Sequence, residues 1–234
     1  PEDIAPKITS RTAGIMINSP GNPTGIIMSP ERMAQIAELG PPIISDEIYH
    51  GLVYEGSAHS ILEFTKNAFV LNGFSKRYAM TGWRVGYLIA PPQFMRPLQN
   101  VQQNFQISVN TFAQYGALEA LTNPAVERKV EEMVRIFDKR RRYMVDRLKR
   151  MGFGIAVEPT GAFYIFANAS RFTDDTYSFA FDCLEKAEVG VTPGIDFGPG
   201  GEGFIRFSYA NSMENIEEGL DRLEKYLAMI GEKR

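Results

Sequence analysis

The chain has 234 residues, 44% of them apolar and 23% charged, enough to bury a sizeable core in one or two soluble globular domains. Its 25 Lys and Arg nearly balance 28 Asp and Glu, which excludes the basic stripe of a nucleic-acid binder. No apolar run approaches membrane-spanning length, no signal peptide opens the chain, and the single Cys183 excludes an intrachain disulfide and a thiolate metal cluster, so a reducing, cytoplasmic setting is the expectation. Asn168-Ala169-Ser170 is formally a glycosylation sequon and is read as chance.

In chain order, "AGIMIN" (Ala13–Asn18), "PIISD" (Pro42–Asp46), "AFVLNGF" (Ala68–Phe74) and "GYLIA" (Gly86–Ala90) are short and apolar on both faces. They predict strands in a sheet covered by helices. "SPERMAQIAEL" (Ser29–Leu39) predicts the helix between the first two, with Ser29 as N-cap and Pro30 at the first position, cut off by "GPP". A long helical pattern runs from about Pro124 to Met151. Within it "DKRRRYMVDRLKR" (Asp138–Arg150) mixes cations with acids and reads as an exposed helix face. Strands follow near Ala162–Ala167, Val189–Pro193 and Phe204–Ala210, with helices near Thr176–Ala187 and Met213–Ile230. This order implies an α/β protein with a mostly parallel sheet, then a smaller α+β domain, divided as residues 1–135 and 136–234.

Ligands of open α/β sheets bind beyond the carboxyl ends of the strands. The first strand runs into "NSPGNPTG" (Asn18–Gly25), a rigid loop in which Pro23 holds Asn22 extended. The second ends at Asp46, with Tyr49 one helical turn on, and the third runs out to Lys76. Only about eleven residues separate Phe74 from Gly86, too few for a parallel crossover, so the fourth strand is predicted antiparallel and carries Arg84 to the same edge. An amine, a carboxylate, a phenol, a guanidinium and an amide then meet the needs of pyridoxal phosphate: an aldehyde seeking an amine, a ring nitrogen seeking a carboxylate, a phosphate, and a 3-oxygen.

These residues lie in motifs that resemble a known family. "NSPGNPTG", "SDEIYHGLVYEG", "GFSKRYAMTGWRVGY" and "FIRFSYA" occur in the order seen in class I/II aminotransferases, which are fold type I pyridoxal-phosphate enzymes, and the resemblance covers essentially the whole chain. The "AMTGWR" form is similar to a branch with many prokaryotic aspartate and broad-specificity aminotransferases. The resemblance implies Lys76 as the Schiff-base lysine, Asp46 as partner of the pyridinium, Tyr49 and Asn22 at the 3-oxygen, Arg84 at the phosphate with Ser75 nearby, Arg206 at the substrate α-carboxylate, and Asn22 as a substrate-binding residue as well. Gly73 stands where many relatives carry a phosphate-binding serine, so contact there is from backbone. It further implies an incomplete large-domain sheet with one antiparallel strand, amino acid and 2-oxo acid substrates, and a homodimer. The family's N-terminal portion, with its phosphate cup and ring-stacking aromatic, has no counterpart in these residues, so they alone are expected to bind cofactor weakly and not to transaminate. The segment Ala34–Pro42 is also shorter than the family's lead-in to "SDEIY".

Taken singly, each residue has a plainer reading. Asp46 would be a helix cap, Tyr49 a packed core aromatic, Asn22 turn chemistry, Lys76 a turn lysine and Arg206 the partner of a structural acid. The joint pattern favours function. His50 and His59 lack metal-ligand spacing and read as structural or surface residues, and Trp83 and the methionines as core. "GIDFGPGGEG" (Gly194–Gly203) reads equally as a plain surface loop or a mobile loop near substrate. The reaction expected is transamination. A C–S β-lyase would use the same matched residues, and an effector-sensing domain of a transcription regulator would use the same fold.

Overall fold

A computed structural model describes residues 1–231. They separate into two compact units, residues 1–21 with 27–132, and residues 22–26 with 133 onward.

The first unit is built on a four-stranded sheet of β1 (Ile15–Asn18), β2 (Ile43–Asp46), β3 (Ala68–Gly73) and β4 (Gly86–Ile89), in that spatial order. β1, β2 and β3 are parallel and β4 pairs antiparallel with β3, as the short connection requires. Register sets Asn18 opposite Asp46 and Gly73 opposite Gly86. One face is packed: Ile15, Ile17, Ile43, Ala68 and Val70 bury against Met33 and Ile36 of α1 (Pro30–Ala37). Burying each large apolar side chain contributes roughly 1.5–3 kcal/mol. α1 begins where Ser29 Oγ accepts the Arg32 N–H at 3.3 Å with Pro30 at the first position. It stops short of Gly40, whose φ of +99° suits glycine alone.

The other face departs from expectation. Met16 is 70% exposed and all four residues of β4 are exposed, so among the described residues only one face of β1, β2 and β3 is packed and β4 is open on both faces. Two helices were not foreseen, α2 (Met95–Phe105) and α3 (Thr111–Thr122). α3 turns Ala113, Ala117 and Ala120 inward, and Ala117 and Ala120 pack on Phe74 and Met80. Trp83 is not a core residue: it is 41% exposed, its ring edge-on to Phe112. Of the methionines, Met33, Met80 and Met144 are buried, whereas Met16, Met95 and Met229 are exposed.

The second unit carries a three-stranded antiparallel sheet in the order β5 (Tyr164–Asn168), β7 (Phe204–Ser208), β6 (Thr192–Pro193). α4 (Pro124–Met151) starts in the first unit and ends in the second, where it buries Met144, Val145 and Leu148. α5 (Thr176–Ala187) buries Phe179, Ala180 and Cys183, and α6 (Met213–Ile230) buries Ile216, Leu220, Leu223 and Leu227, each at helical spacing. Asp175 and Ser212 cap these two helices through the Ser178 and Asn215 N–H groups. The cationic run on α4 is not uniformly solvated. Arg142 is exposed, but Arg141 is buried, donating to Asp138 Oδ1 and to the Pro159 carbonyl at 2.8 Å each. Among the described residues, no helix is long and apolar enough to cross a membrane.

Candidate active site

Parallel β1, β2 and β3 end at one edge of the first unit's sheet, and antiparallel β4 starts there. Asp46 closes β2. Its carbonyl accepts from Ser19 N and from Asn18 Nδ2 at 2.8 Å, and its carboxylate Oδ1 accepts the Ile48 N–H at 3.1 Å. That local bond turns the chain, so Tyr49 lies in a hydrogen-bonded turn rather than the helical turn expected from its spacing. Tyr49 is 4% exposed, and Lys76 Nζ lies 5.7 Å from its ring centre. The neighbouring carboxylate does other work. Glu47 is buried, and its Oε1 accepts from Ser45 Oγ, Ser60 Oγ and Ile61 N.

The connection from β3 to β4 holds the other candidates. Gly73 and Gly86 let the two strands approach closely, because a Cβ on Gly73 would lie 3.0 Å from Gly86 Cα and one on Gly86 2.9 Å from Asn72 O. Ser75 and Lys76 follow in a turn, both half-buried. Their neighbour Arg77 pairs with Glu127, which separates a structural cation from a candidate functional one. A 3₁₀ turn at Thr81–Trp83 leads to Arg84, whose φ of +53° places it in the left-handed region. Arg84 is exposed, and its Nη1 donates to Thr81 O at 3.1 Å.

Asn22 belongs to the second unit, and the structure brings it together with Arg206 of β7: Arg206 Nη1 donates to Asn22 Oδ1 at 2.9 Å. The bonds from Thr160 and Gly161 N–H to the Gly25 carbonyl hold that loop within the unit. Arg206 Nη2 donates to Thr192 Oγ1 at 3.0 Å. Its guanidinium lies 4.5 Å from the Tyr164 ring centre and 5.0 Å from that of Phe197. The structural-acid partner that a strand arginine would ordinarily find is an amide and a hydroxyl here. Thr192, Tyr164 and Phe197 were not singled out from sequence, and only the arginine itself signals that such a surround is needed. The Gly194–Gly203 run that carries Phe197 is more ordered than a plain surface loop. It forms 3₁₀ turns at Gly194–Phe197 and Pro199–Gly201, and Gly194 and Gly201 are buried.

The family description "Aminotransferase class I and II" matches residues 1–223. The chain belongs to this family. It is 43% identical over 229 residues to a (5-formylfuran-3-yl)methyl phosphate transaminase of Methanocaldococcus jannaschii, covering 97% of this chain and 60% of the relative. It is 40% identical to an aspartate aminotransferase of Pyrococcus horikoshii, covering 100% of this chain and 61% of the relative. Among solved structures, an aromatic aminotransferase from Pyrococcus horikoshii matches with a TM-score of 0.93 at 36% identity, over 97% of this chain and 63% of the other. The chain thus spans about three fifths of the length of the relatives it matches. The fold is that of the aminotransferases: a mostly parallel sheet with one antiparallel strand, followed by a small antiparallel sheet with its helices.

Class I/II aminotransferases work with pyridoxal phosphate, and the donor set of the first unit fits that group. An amine (Lys76), a carboxylate at a strand tip (Asp46), a phenol beside the amine (Tyr49), a hydroxyl (Ser75) and a guanidinium (Arg84) occupy strand ends and the turns after them. These are the functional classes that an aldehyde, a ring N–H, a 3-oxygen and a phosphate each require.

Proposed function

We propose that this protein moves an amino group between an α-amino acid and a 2-oxo acid with pyridoxal phosphate, as a homodimer in the cytoplasm. Residues 1–135 would belong to the large cofactor-binding domain and residues 136–234 to the small one. The observation that carries the reading is the pairing of Lys76 Nζ with the Tyr49 ring at 5.7 Å in a family member whose neighbouring strand ends in Asp46. The relatives named above as transaminases support the reaction class.

Bound pyridoxal phosphate would supply an aldehyde for the substrate amine and a pyridinium ring that takes up the electron pair of the broken Cα–H bond. The chain's residues then have distinct tasks. Asp46 accepts the ring N–H and keeps that nitrogen protonated. Lys76 Nζ would hold the group through its aldehyde, and as a free amine it would serve as the base for the substrate α-proton. The Tyr49 hydroxyl and the Asn22 amide donate towards the 3-oxygen. Arg84 pairs with the phosphate, with Ser75 Oγ beside it and the Gly73 backbone able to approach closely. Arg206 holds the substrate carboxylate, and Asn22 fixes its Nη1.

Lys76→Ala tests the assignment in the holoprotein, with whatever sequence its gene carries upstream of Pro1. Wild type incubated with pyridoxal phosphate should show the visible absorbance of the cofactor joined to a protein amine. The variant should lack it and lose transamination by about a thousandfold or more. The same absorbance in Lys76→Ala, with no amine added, would refute the role of Lys76. Product formation without a 2-oxo acid acceptor would turn the reading towards the C–S lyase chemistry.

A further inference from the structure

Arg206 is held in a frame that its charge alone does not explain. A planar guanidinium has donors only in its plane and two weakly hydrated faces. Two aromatic rings stand against the guanidinium here, Tyr164 at 4.5 Å and Phe197 at 5.0 Å. Thr192 is the cross-strand partner of Arg206 in the register of β6 with β7, and its Oγ1 takes one Nη2 hydrogen; Asn22 takes one on Nη1. Nε is buried and has no hydrogen-bond partner. Two in-plane hydrogens, one on each Nη, are left to meet a ligand. A carboxylate has the planar pair of acceptors that matches them.

Phe197 reaches this position from a loop closed by glycine on glycine. A Cβ on Gly194 would lie 2.0 Å from Gly201 O, and one on Gly201 2.0 Å from Gly194 O, so neither position admits a side chain. The Phe197 ring also stands edge-on to Phe166, with centres 6.0 Å apart and planes at 86°.

We propose that Phe197 and Thr192 are positioning residues for carboxylate recognition: together they fix the plane and the rotation of the Arg206 guanidinium so that its remaining N–H pair faces one ligand carboxylate. This rests on the assignment of Arg206 to the substrate carboxylate. The ring holds the plane through its face, and the hydroxyl holds the rotation through Nη2. Neither touches the reacting atoms.

The test has two arms. In the chain labelled with ¹⁵N-arginine, the Arg206 Nε–H signal should be displaced by the ring currents of the two aromatics and slow to exchange with water. Phe197→Leu, which keeps the bulk and removes the ring, should lose both properties, and Phe197→Tyr should keep both. An unchanged signal in Phe197→Leu would overturn the proposal. In the holoprotein, Phe197→Leu should raise KM for the amino acid by about fivefold to tenfold with kcat within about twofold, and Phe197→Tyr should restore it. Thr192→Val, of the same shape, should raise KM about threefold, which keeps the test sharp if the leucine variant folds poorly. A primary amine without a carboxylate should feel neither change. If Arg206→Ala raises KM and these variants do not, positioning by Phe197 and Thr192 is refuted while the proposed reaction stands. If Arg206→Ala itself leaves KM unchanged, the assignment of Arg206 fails first.

Discussion

The two units close their cores to different degrees. In the second, Ile165 and Ile205 of the sheet and Leu148 of α4 are fully buried, and α4, α5 and α6 each turn an apolar stripe inward. Its main exposed apolar stripe is Tyr177, Phe181 and Leu184 on α5. In the first, Met16, Leu71, Leu88 and Ile89 of the sheet and Phe112, Leu118 and Leu121 of α3 are between 37% and 70% exposed. A small antiparallel sheet is satisfied by helices on one side, whereas strands of a largely parallel sheet are apolar on both faces and need cover on both. Lys76, Asp46, Tyr49, Ser75 and Arg84 therefore sit on the less completed framework, and Asn22 and the arginine frame on the more completed one.

The largest effect expected from this contrast is in stability. Leu148→Ala should cost about 2–5 kcal/mol, whereas Leu71→Ala, at 39% exposure, should change stability by no more than about 0.5 kcal/mol. Urea unfolding of the two variants measures this, and equal losses would break the comparison. Next is Arg206→Ala. Removing a charge-assisted, partly dry contact of about 1.5–3 kcal/mol should raise KM for amino acids at least about tenfold while leaving cofactor affinity unchanged. A weaker hold on cofactor with unchanged KM would contradict the division of tasks between the units.

The smallest effect concerns pH. Burial pushes the Cys183 thiol up from an ordinary 9.0 to about 12. Burial, with the Asp182 carboxylate second, pushes the Tyr226 phenol up from 10.0 to about 12. Both groups are neutral when protonated, and the unfolded chain loses those protons first. Stability should therefore be level below about pH 9 and fall as pH rises from there towards 12. The urea midpoint should be lower at about pH 10.5 than at about pH 8, and Cys183→Ala should flatten that fall. A midpoint that rises with pH would show that the second unit is not closed around these groups.

Much of this architecture is legible in the residues. Short apolar runs ending in Asn18, Asp46 and Gly73 give the parallel strands, and the short return to Gly86 gives the antiparallel one. The helices Thr176–Ala187 and Met213–Ile230 end where their apolar periodicity ends. α3 escaped because its buried stripe is alanine while its larger apolar residues face outward, so no amphipathic contrast marks it. α2 carries Pro97 in its first turn and buries no residue, so its pattern lacks a core face. Trp83 misled because size favours burial, yet a 3₁₀ turn ending at a left-handed Arg84 holds it at the surface. At the site, single residues with unusual chemistry could be picked out. Phe197 could not, because it lies in a glycine-rich run with no period and acquires its role only when Gly194 and Gly201 bring the backbone into contact.

The adjacent acids Asp46 and Glu47 have one more consequence. Successive residues at a strand end point to opposite sides, so one carboxylate can serve the ligand while the next accepts from Ser45 of β2 and from Ser60 Oγ and Ile61 N, stapling the strand to that turn. The two acids thus share the framework at that strand end: Glu47 ties it to a distant turn, and Asp46 holds only the local turn at Ile48. Substitution of Glu47 should therefore loosen the end of β2 where it meets the Ser60–Ile61 turn, whereas substitution of Asp46 should release only the turn at Ile48.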